Sequence, residues 1–150
     1  MKILIGYESK YGNTKKVAEL IAEGIKAVEG HEVSIENVND VDLSKSDIYD
    51  LLLIGSPNHV GGPTKSVKNF LKNLTDAPLK AKSIAVFDTY MKKQIGKVVK
   101  KMEQQISKKL PDSKILSPGL SIKVGGMKGP IVEEDLPKCK EFGEMVIKQI

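Results

Sequence analysis

The sequence predicts an α/β fold, a three-layer sandwich in which helices cover both faces of a five-stranded parallel sheet. Three observations predict it. Apolar patterns of strand and helix type alternate along the chain, with no internal repeat and no linker. Leu51-Leu52-Leu53-Ile54 is an unbroken apolar run, as expected of a strand covered on both faces. The 150 residues make one domain, residues 1–150, able to bury roughly 70% of its unfolded surface.

Each element follows from local pattern. Lys2–Tyr7 is a short apolar strand ending in a polar loop. Thr14–Val28 carries Val17, Ala18, Leu20, Ile21 and Ile25 at helical spacing. Gly30 follows, a residue suited to a helix end. Glu32–Val38 alternates, with Val33, Ile35 and Val38 against polar neighbours, and reads as a strand near an edge. Asp40–Asp50 is polar, with a short helical turn expected around Leu43–Asp47. Asp50–Gly55 is the buried strand. Pro63 is placed to open the next helix, whose Val67, Phe70, Leu71 and Leu74 fall at i, i+3, i+4 and i+7. Ser83–Phe87 is another buried strand. Ile95, Val98, Val99, Met102, Ile106 and Leu110 form a helical stripe before Pro111. Lys114–Val124 holds two apolar pieces around Pro118-Gly119, so an interrupted last strand is expected. Glu133–Ile150 closes the chain as a helix with acid at its start, favourable at the positive end of the dipole.

Composition narrows the function. A single cysteine excludes a disulfide framework and a cysteine-built zinc site. No apolar run approaches the roughly 20 residues of a membrane span, and the start of the chain lacks a signal peptide's pattern. A cytoplasmic protein is expected, without membrane attachment. All 24 basic residues are lysine, and the formal net charge is +5. Without arginine there is no bidentate clamp for a phosphate. Nucleic-acid binding is not expected, because no such motif accompanies the lysines.

In a sheet of this class ligands bind beyond the carboxyl ends of the strands. Three loops matter there: Tyr7–Thr14, Ser56–Pro63 and Asp88–Gln94. The first, Glu8-Ser9-Lys10-Tyr11-Gly12-Asn13-Thr14, runs from a strand straight into a helix. Backbone N–H groups and the dipole at such a start favour an anion, and Gly12 lets a ligand come close. The plainer reading is a turn capped by Asn13. The spacing fits neither a nucleotide-triphosphate loop nor a dinucleotide fingerprint.

Ser9-x-x-Gly12-Asn13-Thr14 resembles the phosphate signature of the flavodoxins. Gly55-Ser56-Pro57 with Gly61-Gly62-Pro63 resembles their second flavin loop, and Phe87-Asp88-Thr89-Tyr90 their third. Lys128-Gly129-Pro130 before an acidic helix start resembles the end of short bacterial and archaeal members. The resemblance spans the whole chain and implies strand order 2-1-3-4-5, non-covalent FMN and one-electron transfer. It implies phosphate contacts from Ser9, Gly12, Asn13 and Thr14, with backbone N–H groups from Lys10 and Tyr11. Tyr11 departs from the family's usual Thr, so one phosphate hydroxyl contact is missing or comes from elsewhere. In the second loop it implies flavin contacts from Ser56, Pro57, Asn58, His59, Val60, Gly61 and Gly62. Asn58 suits a ribityl hydroxyl or a polar flavin edge, and His59 stands where relatives place an aromatic. Val60–Gly61 and Gly61–Gly62 are the candidate peptides to turn a carbonyl toward the reduced flavin. In the third loop Tyr90 is the stacking candidate, with Asp88 and Thr89 toward the pyrimidine edge. Plainer readings stand beside these: a solvated His59, a Tyr90 packed on its own helix, a turn-forming Asp88.

The implied function is a low-potential electron carrier between redox enzymes, with no catalytic residue or metal ligand of its own. The alternative is an NAD(P)H-dependent quinone or FMN reductase on the same fold, for which no added segment is visible. Carriers of the family are commonly acidic, so the lysine surplus is a departure. A lysine about 10 Å from a flavin contributes roughly 0.4 kcal/mol in water-like dielectric, roughly 20 mV for one electron. Lys10, Lys92 and Lys93 at the rim would make a less reducing carrier, or suit a partner with an acidic docking surface. Cys139, on the apolar stripe of the last helix, reads as a buried thiol.

Overall fold

The computed structural model describes residues 1–150. Its strands are β1 (Lys2–Tyr7), β2 (Glu32–Asn37), β3 (Ile48–Pro57), β4 (Lys80–Tyr90), β5 (Lys114–Ile115) and β6 (Leu120–Lys123). The helices are α1 (Asn13–Lys26), α2 (Lys65–Leu74), α3 (Lys97–Lys109) and α4 (Leu136–Lys148). All ladders are parallel, in the order β2-β1-β3-β4-β5, with β6 also paired to β4. This is the expected order. The interrupted last strand is also present, as β5 and β6 on one edge of β4. Between the two paired blocks the chain has four residues, 116–119, where β4 has two, 85–86. Only a glycine fits at 119, because a Cβ there would lie 2.4 Å from the Val86 carbonyl oxygen.

Two cores flank the sheet. One joins Ile3, Ile5, Leu51, Leu53, Ala85 and Phe87 to α1 and α4. The other joins Leu4, Leu52, Ile54, Ile84 and Val86 to α2 and α3. Alternate residues of each central strand therefore serve opposite faces, which explains the continuous apolar runs. Leu51, Leu52, Leu53 and Ile54 are all fully buried. In the first core α1 and α4 meet at glycines. A Cβ on Gly24 would lie 2.1 Å from the Lys140 carbonyl oxygen, and one on Gly143 would lie 2.2 Å from that of Ile21.

Several local expectations are corrected. No helical turn forms at 43–47. Asp42 instead accepts hydrogen bonds from the Ser44 N–H (3.0 Å) and hydroxyl, which closes a turn. The short helix lies elsewhere, a 3₁₀ turn at Glu133–Asp135. Pro63 precedes α2 rather than opening it, and the Thr64 hydroxyl oxygen is the cap, accepting from the Val67 N–H at 3.5 Å. Ile95 lies outside α3 and is exposed. The buried strands β3 and β4 extend beyond their apolar runs, since ladder partners hold the polar flanks.

Candidate functional site

The chain passes from β1 outward to β2, then back across β1 to β3. That reversal opens a crevice at the carboxyl ends of β1 and β3. A cleft of about 700 Å³ occupies it. Hydrogen bonds hold its rims together: Glu8 N–H to the Gly55 carbonyl at 3.1 Å, and Asn58 N–H to the Thr89 carbonyl at 2.9 Å. The buried hydroxyls of Thr14 and Thr89 meet at 3.0 Å.

The first loop leaves the start of α1 open toward the cleft. The Gly12 N–H donates to the Ser9 hydroxyl oxygen at 3.0 Å, which folds the loop back. Gly12 has φ 92°, a left-handed conformation suited to glycine. It precedes α1, which has no side-chain cap; the Asn13 cap of the plainer reading does not form. The first backbone bond of the helix runs from Lys16 N–H to the Gly12 carbonyl. The N–H groups of Asn13, Thr14 and Lys15 are left without partners, as at any helix start. The Asn13 side chain rests on Gly129, where an added Cβ would lie 2.4 Å from its Oδ1.

The second loop is a tight hairpin. The His59 N–H donates to the Gly62 carbonyl at 2.8 Å, and the Gly62 N–H to that of His59 at 3.1 Å. Val60 (φ 50°) and Gly61 (φ 78°) form its tip, the pattern of a type I′ turn. Asn58 Oδ1 braces this turn by accepting from the Gly61 N–H at 2.8 Å. Asn58 Nδ2 is buried and has no partner, an unspent donor on the cleft wall.

The cleft is lined by Ser9, Lys10, Tyr11, Asn13, Thr14, Pro57, Asn58, His59, Val60, Thr89 and Tyr90, all anticipated from sequence. Five other anticipated residues do not line it. Gly12 lacks a side chain, and Gly61 and Gly62 belong to the outer hairpin. The Ser56 hydroxyl is fully buried between the Pro57 carbonyl and the Thr64 N–H. The Asp88 side chain faces away from the cleft, toward α3. Its carboxylate is fully buried, accepts from the Val99 N–H at 2.9 Å and the Ser121 hydroxyl, and so caps α3. Burial pushes its pKa up despite those bonds. Tyr90 borders the cleft and is 7% exposed. Burial, then Asp135, raises its hydroxyl pKa. Tyr11 is the more open aromatic, its hydroxyl 3.7 Å from Met127 Sδ.

Thr64, Lys65, Ser66 and Val124 also line the cleft without having been anticipated, as do Glu8, Met91 and Gln94, which lie within the three loops but were given no role; Met127, in the Gly125-Gly126-Met127 turn, borders it too. Glu8 matters most. One carboxylate oxygen is buried without a partner. Desolvation pushes its pKa up, and the nearby His59 pulls it down. Its position directly after β1, at a strand's carboxyl end, was the available signal.

The flavodoxin domain model matches residues 4–122. The chain belongs to the flavodoxin domain family. It is 39% identical to a flavodoxin of Aquifex aeolicus over 75 residues, 49% of this chain and 40% of that one. The chain thus spans under half the length of that relative. It is 31% identical to a flavodoxin of Maridesulfovibrio salexigens over 124 residues, 75% of this chain and 83% of that one. Oxidised flavodoxin 2 of Bacillus cereus superimposes with a TM-score of 0.82 at 26% identity, over 100% of both chains. Flavodoxin-family homologues bind FMN. The cleft fits such a group on two counts: an uncapped helix start offers N–H donors to a phosphate, and Asn58 Nδ2 offers a donor further in.

Proposed function

We propose that this flavodoxin-domain protein binds FMN in the cleft and carries single electrons between redox proteins. The observation that carries this reading is the open N-terminus of α1, facing a cleft whose far wall holds an unpartnered Asn58 amide. When bound, FMN supplies the one-electron chemistry, and the protein supplies binding and tuning.

The phosphate is held by the N–H groups of Asn13, Thr14 and Lys15, with Ser9 and Asn13 adding side-chain donors. No arginine is required. Lys10 adds a solvated point charge. Asn58 serves a ribityl hydroxyl or a polar ring edge, while Pro57, His59 and Val60 wall one side of the ring. Thr89, Tyr90 and Met91 wall the other and exclude water. Strain at Val60 leaves the hairpin peptides poised to rearrange with flavin redox state.

Reconstitution tests the reading. The purified chain should take up one FMN and become yellow; a chain that stays colourless overturns it. Asn13→Ala should weaken FMN by roughly tenfold, the scale of a hydrogen bond to a charged group, and riboflavin little. Equal losses on both ligands would contradict the phosphate role. Rapid NADPH oxidation with a quinone, and no added reductase, would replace the carrier reading with an enzymatic one.

A further inference from the structure

The lysines are unevenly placed. The helices of the second core, α2 and α3, carry eight lysines and one glutamate. Those of the first, α1 and α4, carry six lysines and four glutamates. The stretches 51–75 and 89–102, which supply Pro57–Val60 and Thr89–Met91 to the cleft lining, contain no acidic residue. Lys68, Lys92, Lys93, Lys97, Lys100 and Lys101 lie there, all exposed. None belongs to an ion pair, whereas the four ion pairs present engage Lys2, Lys82, Lys138 and Lys140.

The lysines converge on the second loop. Lys97 packs on Gly61, its Nζ 3.3 Å from where a Cβ would stand. Lys101 and Lys68 approach Gly62 in the same way, at 3.9 and 4.0 Å. Beside them lies a depression of about 420 Å³, lined by Lys93, Lys97, Lys100 and Lys101. Gln94 borders both this depression and the cleft, so the basic surface runs continuously into the flavin rim. Two exposed apolar side chains stand within it, Val60 at 93% and Ile95 at 66% exposure. An exposed apolar centre inside a ring of like charges is the makeup of a transient docking face.

We infer that this rim is the docking face for an acidic redox protein, with Val60 and Ile95 at its centre and Lys68, Lys97 and Lys101 steering the approach. The inference rests on the carrier reading, because it puts the partner's redox centre at the flavin's exposed edge. Unpaired surface lysines contribute little to fold stability. Their summed field raises the encounter rate with an oppositely charged surface by roughly 10–1,000-fold at low ionic strength. The polarity is opposite to that of an acidic carrier, so an acidic partner is selected and a basic one repelled.

The test uses the FMN-loaded protein, chemically reduced and mixed in stopped flow with two probes, an acidic rubredoxin and a basic cytochrome c. The rate to rubredoxin should fall steeply as salt rises from about 0.01 M to about 0.3 M, as screening lengths shorten. The rate to cytochrome c should rise or stay flat. The Lys68→Gln/Lys97→Gln/Lys101→Gln variant should keep FMN affinity and circular dichroism, yet lose roughly tenfold of its low-salt rate to rubredoxin. Faster, salt-inhibited transfer to cytochrome c would overturn the docking proposal and leave FMN binding standing. So would an unchanged salt slope in the triple variant. A chain that takes up no FMN would overturn both readings.

Discussion

Val60 stands at φ 50° at the tip of the second loop, with 93% of its surface exposed. A branched side chain in the left-handed region pays about 1–2 kcal/mol per residue. Asparagine tolerates that region and is favoured before glycine in a type I′ turn, and Gly61 already occupies the next position. Almost no apolar burial is lost on replacing so exposed a valine. Val60→Asn should therefore stabilise the FMN-free protein by about 1 kcal/mol, since asparagine still pays part of the strain. For a chain of this size that is a rise of about 2–4 °C in Tm. Val60→Thr is the control. It keeps the branch at Cβ, so its stability should stay within about 0.5 kcal/mol of the parent, as for an ordinary surface change. Urea and thermal unfolding of the three proteins, without FMN, give the comparison. Equal stabilisation by Asn and Thr would refute the backbone argument, because the gain would then come from removing an exposed apolar group. No gain from Asn would refute it as well.

Three further outcomes are expected. Glu8→Gln removes a carboxylate that desolvation already disfavours in its charged form; at roughly 10 Å from a doubly charged phosphate this relieves about 0.8 kcal/mol. FMN titrations at several pH values should show about fourfold tighter binding near neutrality, with the difference vanishing once Glu8 is protonated in acid; a constant difference would count against it. Ser121→Ala takes one donor from the buried Asp88 and the acceptor of the Gly96 N–H at 2.8 Å, and should cost about 1–3 kcal/mol. Asp88 already has a raised pKa in the fold, so native stability falls as pH rises above the ordinary carboxylate range; the variant's raised pKa deepens that fall. Its deficit should be larger at pH 7 than near pH 4, and unfolding curves with the reverse order would sink this account. Gly24→Ala drives a Cβ to 2.1 Å from the Lys140 carbonyl oxygen and should cost about 2 kcal/mol or more, lowering Tm by about 4–8 °C. An unchanged Tm would mean α1 and α4 part without penalty.

Much of the architecture is local and therefore legible in sequence. The unbroken run Leu51–Ile54 marks a strand covered twice, and the 3.6-residue spacing of Val67, Phe70, Leu71 and Leu74 marks a helix with one buried face. Pro118-Gly119 marks the break in the last strand, because proline cannot donate to a ladder and only glycine fits against Val86. The first loop was legible too, since its chemistry lies in consecutive backbone N–H groups and a glycine between Ser9 and Thr14.

Side-chain direction was not legible. Asp88 and Thr89 are neighbours at the end of β4, yet alternation sends one to cap α3 and the other to Thr14 at the cleft. Glu8 becomes part of the site only because β1 lies beside β3, which brings His59 near it. Taken one helix at a time, the lysines of α2 and α3 stand on the sides away from the buried stripes of each helix. Packing α2 beside α3 under the second loop gathers Lys68, Lys97 and Lys101 around Gly61 and Gly62, since charge along a sequence becomes a field only when tertiary structure places it. Sequence alone determined the main strands and helices and their order. The fold decided which side chains face the cleft and where the surplus charge collects.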